Sequence, residues 1–274
     1  MFMAFVDKYG PWALITGASA GIGAEFARQI AAKGVNVALV ARRRERLEAL
    51  GAELESEYGV RSLAIAADLC ADDFLTTITE ALGTRHVGLL VNNAGSGMTG
   101  EFLDHDLDAE LQMLALNCRA PLVLAHHFGR RMRDDRRGGI IMLASVAGIV
   151  PTPMFANYSA TKAWNRFLGE GLHEELARDG VDVVSLCPGL TQSEFFDHAN
   201  VDPSNWPAPM RATIMSAEDV VKAALKGLGR HSQVVPGLSY RMLMRLSRLS
   251  PGSLTPWMID RVMRLALPKS DNSR

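Results

Sequence analysis

Cysteine is scarce and poorly spaced for crosslinking or metal binding. Cys70, Cys118 and Cys187 are odd in number, lie far apart and show no CxxC or Cys/His ligand spacing. That excludes a disulfide framework or a zinc ribbon and fits a reducing compartment. An excess of either charge is also missing. The formal net charge of −1 gives no electrostatic case for binding nucleic acid, so the expected partner is a small molecule. Long apolar runs are absent: the longest stretch of apolar or small residues, Gly138 to Val150, is too short to cross a bilayer and stops at Pro151. The opening MFMAFVDKYG has no preceding basic flank and no small-residue cleavage site, which argues against a signal peptide and makes a cytoplasmic location the expectation. No repeat, low-complexity tract or Pro/Gly/Ser-rich linker divides the 274 residues.

What the chain does contain is alternation. Short β-rich apolar runs at 12–16, 35–41, 61–66, 87–91, 139–145, 181–186 and 233–235 alternate with segments of helical period at 21–33, 44–58, 72–82, 106–133, 157–178 and 217–228. The central runs, LLVNNAG and GIIMLASV, are apolar without alternation, as strands covered by helices on both faces require. The pattern predicts an α/β fold: a Rossmann-type, doubly wound, roughly seven-stranded parallel sheet flanked by helices over residues 1–237, with a basic amphipathic helical extension over 238–274. Residues 190–215, with Pro203, Pro207 and Pro209 and little periodicity, read as a mobile loop beside the site.

The first strand runs directly into Thr16-Gly17-Ala18-Ser19-Ala20-Gly21-Ile22-Gly23, and a helix follows. Glycines at a strand-to-helix turn let the backbone approach a pyrophosphate whose charge is met by helix N-terminal amides; taken alone, they would equally make a tight turn. About 20 residues after such glycines an NAD-binding unit usually carries an acidic residue for the ribose hydroxyls. Here that place is Ala41, followed by Arg42 and Arg43, which suit a 2′-phosphate and favour NADP(H). A solvated basic helix start is the alternative. Farther on, Tyr158 and Lys162 form a YxxxK pair whose i, i+4 spacing puts both side chains on one helix face. An ammonium there is expected to lower the phenol's pKa and make it a usable acid or base.

TGASAGIG at 16–23, NNAG at 92–95, Asn117, Ser145, Tyr158 with Lys162, and Pro188-Gly189-Leu190-Thr191 occur in an order and spacing that resemble the short-chain dehydrogenase/reductase family over roughly residues 10–236. The resemblance implies a carbonyl–alcohol oxidoreductase. Tyr158 would be the general acid, Lys162 would hold the nicotinamide ribose, Ser145 would orient the carbonyl, and Asn117 would fix a water relaying protons towards Lys162. Gly17, Ser19, Gly21, Ile22 and Gly23 would cradle the dinucleotide, Asp68 and Leu69 would flank the adenine, and Asn93, Ala94 and Gly95 would support cofactor and sheet. Pro188, Gly189 and Thr191 would close over the nicotinamide end. No metal is required, and a homo-oligomer formed through helices 106–133 and 157–178 is the family expectation. Structural alternatives are a strand-end cap for Ser145, a backbone bond for Asn117 and a helix cap for Asp68.

Val150, Pro151, Met154, Phe155, Phe195, Phe196 and Trp206 suggest an apolar pocket for a small lipophilic carbonyl or alcohol, such as a 3-oxoacyl or steroid-like ketone. Seven basic residues stand against two acidic ones after position 237. That tail packs on its own domain or on a neighbouring subunit, lies on an anionic membrane surface, or roofs an acyl-chain pocket. Rival functions are a non-catalytic dinucleotide sensor, against which the full set of chemical residues argues, and a membrane-associated lipid-binding module, which would leave the glycine motif idle.

Overall fold

Strand β1 (Trp12–Thr16) is buried at all five positions, because it is an inner strand of a sheet with layers of helices on both faces. The computed structural model describes residues 5–192, 194, 206, 208–249 and 254–266. With β2 (Asn36–Ala41), β3 (Ser62–Ala66), β4 (Val87–Asn92), β5 (Gly138–Leu143), β6 (Val181–Leu186) and β7 (Gln233–Val234) it forms one sheet in the order β3-β2-β1-β4-β5-β6-β7, parallel throughout. Among the described residues, the helices longer than one turn are α1 (Phe5–Tyr9), α2 (Gly21–Ala31), α3 (Arg44–Tyr58), α4 (Phe74–Leu82), α5 (Leu107–Leu114), α6 (Ala120–Asp134), α7 (Ala156–Ala177), α8 (Ala217–Gly227), α9 (Leu238–Leu249) and α10 (Leu254–Ala266).

Alternate strand residues feed two cores. Ala13, Ile15, Leu39 and Val91 pack with Phe26 and Ile30 of α2 and Leu47 of α3; Leu14, Val40, Leu90 and Ile140 pack with Ile78 of α4 and Leu124 and Met132 of α6. Chain order reverses between β1 and β4. This opens a crevice at the carboxyl ends of the strands, where doubly wound sheets bind ligands.

The expected elements are present, with boundary differences that have local causes. The strand predicted to reach Ser145 ends at Leu143, because the Ser145 hydroxyl accepts from the Ala147 N–H (3.1 Å) and opens a 3₁₀ turn at Val146–Gly148. The helix predicted over 106–133 is interrupted by a π-helical turn at Ala115–Arg119. Helix α1 lies outside the predicted elements; the Tyr9 hydroxyl donates to Asp182 Oδ2 (2.5 Å) and Lys8 pairs with the same carboxylate. Among the described residues of the segment predicted as a loop, a helical turn forms at Ala208–Arg211. Its stems pair through Thr191 and Met215. Phe195, Phe196, Pro203 and Pro207 lie outside the described residues.

Candidate active site

Gly17 and Gly21 have φ of 67° and 54°, the left-handed region that glycine adopts without a Cβ penalty. A Cβ on Gly23 would overlap the Gly17 carbonyl and lie 2.5 Å from Asn93 Nδ2; one on Gly17 would lie 2.8 Å from the same nitrogen. The turn is thus packed directly against the end of β4. Thr16 ties the two together. Its hydroxyl donates to Val91 O (3.2 Å) and accepts from the Asn93 and Ala94 N–H groups (3.0 Å each), while Asn93 Nδ2 donates to Thr16 O (2.8 Å). Ile22 packs against the first core. Helix α2 has no acidic residue in its first turn, so the helix itself offers a phosphate amides and no carboxylate. The cradle and its donors fit a dinucleotide.

Arg43 reaches this turn. Its guanidinium donates to the Ser19 hydroxyl (3.0 Å) and to Glu194 Oε2 (2.8 Å), and Arg46 takes Glu194 Oε1 (2.6 Å). The two arginines hold the Glu194 carboxyl below its usual range. Arg42 is exposed. Asp68 accepts from the Cys70 N–H (3.0 Å), the capping bond of a turn, and Leu69 is buried in the second core.

The catalytic candidates converge at the far end of the crevice. A Cβ on Gly95 would lie 3.1 Å from both Asn117 Oδ1 and Lys162 Nζ, so any larger residue there would crowd those two groups. Lys162 is 4% exposed and donates to Leu143 O (3.0 Å), with its Nζ 5.8 Å from the Tyr158 ring centroid. Tyr158 is hydrogen-bonded to the Ser145 hydroxyl. Electrostatics departs from the sequence expectation. Burial pushes the Tyr158 phenol up to about 12, opposed by the Ser145 bond, and burial pushes the Lys162 ammonium down to about 8. Each group is desolvated, and each is driven towards its neutral form.

Asn117 owes its position to the π-helical turn, a device common at functional sites. Four residues on stands Pro121, which has no N–H to give the Asn117 carbonyl. Asn165 of α7 supplies the missing donor, Nδ2 to Asn117 O at 2.8 Å. The Asn117 side chain donates to Ser96 O (2.8 Å) and Thr161 Oγ1 (3.0 Å) and accepts from Ser96 N–H (3.0 Å). Asn165 and Thr161 escaped the sequence reading, although a proline at i+4 is a legible sign of a freed carbonyl. At the end of β6, Pro188 O accepts from Val146 N–H (3.0 Å) beside Ser145, and buried Thr191 donates to Gly189 O (3.0 Å). Trp206 is buried, and the Phe155 and Tyr158 rings lie 5.9 Å apart.

Residues 11–204 match the family model described as short chain dehydrogenase. The chain belongs to the short-chain dehydrogenase family. A relative from Bos taurus named very-long-chain 3-oxoacyl-CoA reductase is 30% identical over 230 residues, 82% of this chain and 70% of that protein. Among solved structures, one described as a 7beta-hydroxysteroid dehydrogenase superposes with a TM-score of 0.87 at 26% identity, covering 94% of this chain and all of the other. A short-chain dehydrogenase from Sphingobium yanoikuyae in complex with NADPH has a TM-score of 0.78 at 32% identity, covering 96% and 99%. As a short-chain dehydrogenase, the chain is an NAD(P)-dependent oxidoreductase acting on CH–OH and C=O groups. Among the described residues, no helix is long and apolar enough to cross a membrane.

Proposed function

We propose that this short-chain dehydrogenase reduces a lipophilic ketone with NADPH, using Tyr158, Lys162, Ser145 and Asn117. The observation that carries the reading is the convergence of Asn117 Oδ1 and Lys162 Nζ on the space beside Gly95, next to the hydrogen-bonded Tyr158 and Ser145. When bound, the reduced nicotinamide supplies the hydride for the carbonyl carbon. Tyr158 donates its hydroxyl proton to the carbonyl oxygen while the Ser145 hydroxyl hydrogen-bonds that oxygen and orients it. A phenol pushed up to about 12 stays protonated at neutral pH, which suits it to the reductive direction. Lys162 holds the ribose, and Asn117, anchored by Thr161 and Asn165, keeps a water in line for reprotonating Tyr158. Gly17 to Gly23 and Asn93 to Gly95 cradle the dinucleotide, Asp68 and Leu69 border the adenine, and Pro188 to Thr191 close over the nicotinamide.

Arg42 and Arg43 bind the 2′-phosphate; the contact of Arg43 with Ser19 at the glycine turn favours Arg43 as the nearer partner. Relatives named for 3-oxoacyl-CoA and hydroxysteroid substrates support a ketone with a large apolar body. Exposed Leu107, Leu111 and Leu114 on α5, Leu122 on α6 and Phe167 on α7 support a homo-oligomer built on those helices. On α9, Leu238, Met242 and Leu246 form an exposed stripe beside Arg241 and Arg245, which favours a secondary, peripheral contact of residues 238–274 with anionic lipid. Loss of cosedimentation with anionic vesicles in Leu246→Glu is the result expected for that contact; unchanged binding would refute it. The main reading is tested by supplying NADPH or NADH with 3-oxoacyl thioesters and steroid ketones. Oxidation of NADPH in preference to NADH is expected, and turnover of none of these ketones would overturn it.

A further inference from the structure

The helix that follows the last strand brings a tyrosine back into the catalytic end of the molecule. Tyr240, in the first turn of α9, is 8% exposed. It forms a third buried cluster with Ala144, Cys187 and Val235, packed by Val146, Leu190 and Met215. A Cβ on Gly189 would overlap the Tyr240 ring, so the backbone of the Pro188–Thr191 segment lies flat against it. The hydroxyl is fully used. It accepts from the Leu190 N–H (3.0 Å) and donates to Thr213 Oγ1 (2.9 Å), whose own hydroxyl donates to Met210 O (2.7 Å). One phenol therefore joins the stem that leaves β6 at Leu190 to the stem that returns at Thr213. The two stems otherwise meet through Met215 N–H to Leu190 O and Gln192 N–H to Met215 O (2.9 Å each).

We infer that Tyr240 is a positioning residue: the carboxy-terminal extension acts through it as a tether that sets where Pro188 to Thr191 stand over the site. The same segment reaches Ser145 through the Val146 N–H to Pro188 O bond, so the tether bears on the wall that holds the carbonyl-orienting hydroxyl. This inference rests on the reading that Pro188 to Thr191 flank the nicotinamide. It makes α9 part of the catalytic unit and not an appendage to it.

Tyr240→Phe keeps the ring against Gly189 and removes both hydrogen bonds of the hydroxyl. In the full chain, amide hydrogen exchange over 188–192 and 213–215 is expected to rise about tenfold while the β1 and β4 amides keep wild-type rates, since two ordinary hydrogen bonds are lost from one place. KM for the ketone and for NADPH should each rise about five- to tenfold, with kcat within about twofold, as loosened positioning weakens binding before chemistry. Thr213→Val should give a smaller effect of the same pattern, because Thr213 O stays 3.2 Å from the phenol oxygen. Wild-type exchange and KM in Tyr240→Phe would overturn the inference, as would a uniform rise in exchange across the whole sheet, the mark of a merely structural role. If the wild type bound neither dinucleotide, the functional reading would fall, while the exchange measurement would still report on the tether.

Discussion

Thr16→Val replaces one hydroxyl with a methyl of similar size at the hinge between the glycine turn and the end of β4. The side chain is 1% exposed, so no water substitutes for what is lost. The cost follows from its three bonds. The Asn93 N–H retains Val91 O at 3.0 Å, and Val91 O retains that same donor. The Ala94 N–H, which donates to Thr16 Oγ1, is the group left orphaned. One partly buried donor without a partner costs about 1–3 kcal/mol, which for a chain of this size lowers Tm by about 2–6 °C. Freed of this anchor, Ala94 and Gly95 shift beside Asn117 and Lys162, so dinucleotide affinity should fall about five- to tenfold. Scanning calorimetry and isothermal titration on wild type, Thr16→Val and Thr16→Ser measure both effects. Thr16→Ser keeps the hydroxyl and should recover most of the affinity. A Thr16→Val protein with unchanged Tm and affinity, or a serine variant as impaired as the valine one, would refute this reasoning.

Two further outcomes follow from the charged groups. Glu194→Gln frees the Arg43 guanidinium from a competing carboxylate at 2.8 Å; because the pair is solvent-exposed, NADPH affinity should rise by no more than about fivefold, with NADH affinity unchanged. A fall in NADPH affinity would mean that the carboxylate positions Arg43 for the phosphate. For Lys162, burial lowers the folded-state value to about 8 from an ordinary 10.5. Between those values the unfolded chain holds a proton that the folded chain has released, so this group's contribution to stability rises with pH across that window and is least favourable below it. In chemical denaturation, the stability advantage of Lys162→Met over wild type is therefore expected to be largest near neutral pH and to shrink as pH approaches 10.5. A gap that does not change with pH would contradict a desolvated Lys162.

The sheet was legible because buried parallel strands need continuous apolar runs, and LLVNNAG and GIIMLASV are such runs, too short for a typical helix and alternating with longer segments of helical period. The glycine turn was legible because its spacing sits where a strand gives way to a helix. Contacts made across the fold left no such trace. Nothing near Arg43 in sequence announces Glu194, 151 residues away, and nothing near Gly189 announces Tyr240. Asn165 sits on α7 without a motif of its own; its partner was hinted at only by Pro121. The YxxxK spacing correctly put Tyr158 and Lys162 on one helix face. It could not convey that burial drives both groups towards their neutral forms, which depends on how deeply α7 is packed. Helix α1 was missed because five residues are too few to show a period.

Tyr158→Phe is the most direct test of the account, since it removes one oxygen from the centre of the proposed chemistry and leaves the ring in place. NADPH oxidation would be followed in single-turnover mixtures of the wild type and the variant with a lipophilic ketone, alongside NADPH titrations of both proteins. Reduction is expected to slow by about 10²–10⁴-fold, the usual worth of a positioned proton donor, with NADPH affinity within a few-fold of wild type. Ketone reduction at the wild-type rate in Tyr158→Phe, with NADPH bound equally well by both proteins, would contradict it.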